Sequence, residues 1–156
     1  LGYRRPEEGN TKCLCFFFDV SAFAVSWGMG MYAPYRPRMD ELRENILKDP
    51  DAFLALARQS RIQKRFKLEG ETYKRFLVQE GDALVKDWCN RKSVALTHKQ
   101  PLDASAFSPQ LARAVEADFV MLAPLYRLLR GMSPKCIKRF PNLVYKNEGG
   151  TVNEQS

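Results

Sequence analysis

From Phe23 onward, large and small residues alternate: Phe23, Val25, Trp27, Met29 and Met31 are bulky, and Ala24, Ser26, Gly28 and Gly30 fall between them. A period of two is the signature of a strand. Lys12 to Val20 reads as the preceding strand, and the tight junction at Val20-Ser21 predicts an antiparallel hairpin with Ala22 to Tyr32. The bulky face is expected in the core. The bare face leaves room for close approach to the backbone, by a packed helix or by a ligand, and the helix is the expected occupant.

Pro34 and Pro37 end the second strand. Met39, Leu42, Ile46 and Leu47 then recur at helical spacing, with Asp40 and Glu41 near the positive end of the helix dipole. Asp49-Pro50-Asp51 breaks that helix and opens another, with Phe53, Leu54 and Ala57 on one face. Phe66 and Leu68 alternate with Lys67 and Glu69, Gly70-Glu71 makes a turn, and Thr72 to Val78 alternates again, which predicts a second hairpin. Gly81 to Asn90 reads as a helix. Val94, Leu96 and His98 share one side of a short strand, and Pro101 to Ser108 is a loop. Ser108-Pro109 starts a long helix with Leu111, Val115, Asp118, Leu122, Leu125 and Leu129 in one stripe. Pro124 is expected to kink it and Gly131 to stop it.

These elements predict an α+β fold: an antiparallel sheet of short strands packed with helices, the long last helix across one face. Residues 1–132 are read as one domain and 133–156 as a basic, polar tail whose last ten residues are expected to be disordered. The 156 residues are 45% hydrophobic and 28% charged, a globular composition that can bury a core without disulfides. Cys13 to Ala33 carries one charge, Asp19, and is long enough to cross a bilayer, but its alternation argues for strands. No cleavable signal peptide precedes it, so a cytoplasmic protein with reduced thiols is expected. The chain opens on Leu1 and not Met, as a fragment or a processed chain would.

Cys13, Cys15, Cys89 and Cys136 form no Cys-x-x-Cys pair, and the only histidine, His98, is remote from them in sequence. No metal site and no cofactor are therefore expected. Cys13 and Cys15 share a strand face beside Phe16 to Phe18 and read as core residues. His98 has no nucleophile or orienting carboxylate beside it in sequence, and no catalytic residue is assigned.

A net charge of +7 raises the prospect of an anionic partner, nucleic acid among them. The cations concentrate around Gly70: Arg58, Arg61, Lys64, Arg65 and Lys67 precede it, Lys74 and Arg75 follow it, and Phe66, Tyr73 and Phe76 are interleaved. If the second hairpin forms, Lys67 and Lys74 share a face. Aromatic groups beside cations on a sheet can stack bases while the cations meet phosphates. The competing arrangement puts the aromatics in the core and the charges in water. Gly28 and Gly30 alone do not make a dinucleotide fingerprint. Asp118, in the apolar stripe of the last helix, must be paired if buried. Arg43, Lys74 and Lys92 are its candidate partners, and Asp118 with Arg43 is the structural ion pair assigned.

Several short stretches occur in an ordered series. Gly28-Met29-Gly30-Met31-Tyr32-Ala33-Pro34, followed by Leu42-Arg43 and Ile46, resembles the signature of domain of unknown function family 2461, a conserved hypothetical group. Gly70-Glu71-Thr72-Tyr73-Lys74-Arg75 resembles that family's glycine-led turn and basic strand, and Arg91-Lys92-Ser93 its later lysine motif. Ser108 to Leu111 and Ala123 to Tyr126 resemble its closing helix. The resemblance spans roughly residues 13–132, and shared order and spacing carry it. Against the family's pattern, the N-terminal helical segment is expected to be missing. Gln79-Glu80-Gly81-Asp82 also stands where the family places an Asp-His-Pro turn. The resemblance implies a fold and no mechanism.

Two functional classes stay open. One is a non-catalytic binding or scaffold module whose basic surface meets an anionic partner, with Lys67, Lys74, Arg75, Arg91 and Lys92 as anion-binding residues. The other is an enzyme acting on an anionic small molecule, with Lys74, Arg75 and Lys92 as anion holders. An enzyme would gather polar residues from separate elements into a concave pocket.

Overall fold

The computed structural model describes residues 2, 3, 13–31 and 35–132, the first two by their backbone. Five antiparallel strands form one sheet in the order β1-β2-β3-β5-β4: β1 (Gly2–Tyr3), β2 (Cys15–Val20), β3 (Ala24–Gly30), β4 (Lys67–Glu69) and β5 (Ala95–Pro101). Five α-helices complete the α+β fold: α1 (Arg36–Lys48), α2 (Pro50–Ala57), α3 (Ser60–Arg65), α4 (Ala83–Cys89) and α5 (Pro109–Leu129). Lys12, Tyr32 and the tail from residue 133 lie outside the described residues.

The first hairpin forms as its alternation predicts, with Phe16 opposite Met29 and Phe18 opposite Trp27. Ser21 closes the turn through backbone and side-chain bonds to Ala24. Val25, Trp27 and Met29 are buried. Phe23, expected on the same face, is 87% exposed because it lies in the turn, ahead of the strand. The apolar run from Cys13 thus becomes sheet, and among the described residues no helix is long and apolar enough to cross a membrane.

At Gly28 and Gly30 the bare face of β3 accommodates its neighbouring strand, β5. A Cβ on Gly28 would sit 1.8 Å from the carbonyl oxygen of Leu96 on β5. Glycine at this position therefore serves the approach of two strands within the sheet.

α5 lies on the opposite face. The ring of Phe16 is 4.9 Å from those of both Phe119 and Tyr126, and Leu122, Leu125 and Leu129 are buried. The helix continues through Pro124, which supplies no N–H to the carbonyl of Val120. Val120 is on the exposed side, where water can take that place. Gly131 then ends the helix with a left-handed conformation, φ 61°. Met39, Leu42 and Ile46 of α1 and Phe53 of α2 fill the rest of the core, with Phe53 edge-on to Trp88 of α4.

The second hairpin does not form. β4 pairs with β5, Lys67 opposite Thr97, and residues 72–78 make no strand; Thr72 has one isolated bridge, to Arg91. Gly70 turns the chain away with φ 130°, where a Cβ would lie 1.9 Å from the carbonyl oxygen of Ser93. Beyond it, the backbone bonds of the segment go to residues 90–92 and not to β4. Lys92 N–H donates to the Glu71 carbonyl at 2.6 Å and Tyr73 N–H to that of Asn90 at 2.8 Å. A segment without a strand partner needs its backbone polar groups satisfied, and here the turn after α4 satisfies part of them.

α3 is a further departure, since residues 60–65 show no helical apolar pattern. A single buried side chain, Ile62, anchors it. The predicted loop after residue 101 contains a 3-10 turn, Ala104–Phe107, opened by the Asp103 side chain accepting from Ser105 N–H.

Candidate functional site

The segment after Gly70 crosses α4 and leaves an open cleft of about 600 Å³ between them. Lys74, Phe76 and Gln79 line one wall; Lys86, Asp87 and Asn90 line the other.

Asn90 shapes the cleft. It follows the last turn of α4 and is buried. Its Oδ1 accepts from the N–H groups of Leu77, at 2.7 Å, and Val78, at 2.9 Å. Its Nδ2 donates to the Val78 carbonyl at 2.7 Å. One side chain therefore takes the place of a strand partner for residues 77 and 78. The other end of α4 is capped by Asp82, whose carboxylate accepts from Leu84 N–H at 2.8 Å. That bond first, and the nearby Arg58 guanidinium after it, hold the Asp82 carboxyl below its usual range.

Arg43 reaches this region from α1. Its buried guanidinium donates to the carbonyls of Cys89, at 2.8 Å, and Arg91, at 2.7 Å, and pairs with Asp40. It thereby meets the negative end of α4 and ties α1 to it. It also lies over the ring of Tyr73, 5.6 Å from the centroid, with Lys92 at 6.0 Å. Burial raises the neighbouring Cys89 thiol to about 11, so it is protonated at neutral pH.

The pairing of Asp118 with Arg43 is therefore corrected: Arg43 is committed to α4, and Asp118 is answered from α3. Its Oδ2 accepts from Arg65 Nε at 2.9 Å and from the indole N–H of Trp27 at 2.8 Å. Arg65 also lies over the Trp27 ring, 5.6 Å from the centroid. His98 packs against the same indole, ring centroids 4.7 Å apart, and its Nδ1 is 2.9 Å from the Arg65 carbonyl. A carbonyl only accepts, so Nδ1 donates there. This cluster docks α3 and α5 onto β3 and leaves His98 outside the cleft.

The five cations assigned from sequence separate. Lys74 lines the cleft. Lys67 is exposed on β4 and Arg75 is exposed beside Lys74; neither lines it. Arg91 is turned inward, to Asp87 at 2.9 Å and to the Gly70 carbonyl at 2.8 Å. Lys92 pairs with Glu71 at 3.3 Å. The interleaved aromatics separate as well: Phe66 is buried, Tyr73 lies beneath cations, and Phe76 is 56% exposed in the cleft. Lys86, not singled out in the sequence, lines the same cleft from α4. Neither lysine forms an ion pair among the described residues, and the cleft's carboxylate, Asp87, is held by Arg91.

The family model described as "Conserved hypothetical protein (DUF2461)" matches residues 2–128. The chain belongs to that family. The match takes in every element described here except the end of α5, so the cleft of this DUF2461 member lies wholly within it. No curated protein and no solved structure matches the chain.

Proposed function

We propose that this DUF2461 protein is a binding module that holds an anionic partner in the cleft between α4 and residues 72–79. The observation that carries the reading is the pair Lys74 and Lys86, facing one cleft from separate elements while its carboxylate is already paired. Two like charges gathered without a counter-ion repel, and an anion between them relieves that repulsion. The cleft's volume, about 600 Å³, is that of a small-ligand site. Asn90 supports the reading by fixing the backbone that carries one of the two walls.

The test is a titration of isotope-labelled protein with inorganic pyrophosphate, followed by amide chemical shifts. Shifts confined to residues 72–79 and 83–90, and abolished in K74Q/K86Q, are the expected result. Saturable shifts elsewhere, or shifts that the double variant leaves unchanged, would overturn it.

A further inference from the structure

We infer that the partner is a nucleotide unit, with its phosphate between Lys74 and Lys86 and its base on Phe76; this rests on the anion-binding reading above. Phe76 is 56% exposed, although burial of an aromatic ring is strongly favourable. Its backbone is not loose: the next two residues are pinned by three hydrogen bonds to buried Asn90. The ring is therefore presented to the cleft by a fixed segment, and a flat apolar partner would recover the lost burial. Base stacking on an exposed aromatic strengthens binding by about 5- to 150-fold per base and tolerates any sequence.

The remaining lining suits the same chemistry. Gln79 supplies both an amide donor and an amide acceptor, and the Asp87 carboxylate accepts. Such groups can meet the edge of a base or a ribose hydroxyl. The arrangement has one aromatic ring and two cations, which matches one base and one phosphate group in place of a long strand. A free mononucleotide and a single nucleotide within a strand share this chemistry.

Adenosine monophosphate, adenosine, ribose 5-phosphate and inorganic pyrophosphate would be titrated into the full chain and into Phe76→Ala and K74Q/K86Q. The mononucleotide should bind about tenfold more tightly than ribose 5-phosphate, a ratio that Phe76→Ala removes. Phe76→Ala should leave pyrophosphate affinity unchanged, and K74Q/K86Q should weaken both phosphates and the mononucleotide. Equal affinity for the mononucleotide and ribose 5-phosphate, with pyrophosphate still bound, would overturn the nucleotide assignment alone. Loss of all phosphate binding in the unaltered protein would remove the anion site as well. A five-residue oligonucleotide distinguishes the sources. Affinity well above the mononucleotide's, falling steeply with salt, assigns a strand; equal affinity assigns the free nucleotide.

Discussion

Asn90 binds both backbone polar groups of Val78, donating to its carbonyl at 2.7 Å and accepting from its N–H at 2.9 Å. With the bond from Leu77 N–H, three backbone groups of the cleft wall depend on one side chain. Asn90→Ala leaves them to find water or stay unpaired. The expected loss of stability is roughly 2–3 kcal/mol, read by denaturant unfolding. The amides of Leu77 and Val78 should also exchange with deuterium much faster, while those of β3 and β5 keep their order. Protection unchanged at residues 77 and 78 would show that the segment holds its shape without Asn90.

Asp118 presents the corresponding dependence in the core. It accepts from Trp27 and Arg65 through the same oxygen. Asp118→Ala leaves a buried indole N–H and a partly exposed guanidinium without their acceptor, and should cost roughly 2–4 kcal/mol. Because the Arg65 side chain is 35% exposed, part of its loss returns as hydration, and the lower half of that range is expected. Trp27→Phe keeps the ion pair but removes one donor and leaves a void at a fully buried site, so it should cost a comparable amount. Thermal unfolding of both variants checks this.

The same two clusters show what the sequence makes legible. The stripe in α5 placed Asp118 among buried leucines, so the need for a partner was readable. The partner itself, Arg65, stands in a run of cations that looked like a solvated face, and only the docking of α3 brings it to Trp27 and Asp118. The first hairpin was readable because bulky and bare residues alternate over nine positions. The second hairpin does not form for a physical reason: Thr72 to Val78 alternates in residue type alone, while the chain bends at residues 74, 75 and 77 and finds no strand to pair with. The bonds that hold residues 72–78 come from Asn90 and its neighbours, and Asn90 carries no pattern of its own. Lys86 was invisible as a site residue because its relation to Lys74 exists only once that segment crosses α4.

Gly70 should resist substitution. Its φ of 130° disfavours any side chain, and a Cβ would lie 1.9 Å from the Ser93 carbonyl oxygen. Gly70→Ala must move the turn that sends the chain toward α4. A loss of roughly 1–3 kcal/mol is expected in thermal or denaturant unfolding. A fully stable alanine variant would contradict the geometry.

Cys89 makes stability depend on alkaline pH. Burial lifts its folded-state value from 9.0 to about 11. Below 9 both states keep the proton and nothing changes. Between 9 and 11 the unfolded chain releases its proton while the folded chain keeps it, so stability falls as pH rises. The total is at most roughly 2–3 kcal/mol and levels off above 11. Cys89→Ala should flatten that part of the pH profile, measured by urea unfolding. A thiol-specific reagent should leave Cys89 unmodified in the native state at pH 8 and label it once the protein is unfolded.

On the proposed reading, two lysines in one cleft, and not basic charge in general, hold the anion. Pyrophosphate affinity should be compared between the unaltered protein, K74Q/K86Q and K64Q/K67Q; the last removes the same charge from exposed positions outside the cleft. With melting temperatures matched, K74Q/K86Q should lose about tenfold or more and K64Q/K67Q less than about twofold, since exposed charges that do not face the bound anion are weakened by salt screening. An equal loss in both double variants would show that the charge acts diffusely and that the cleft has no special part in binding.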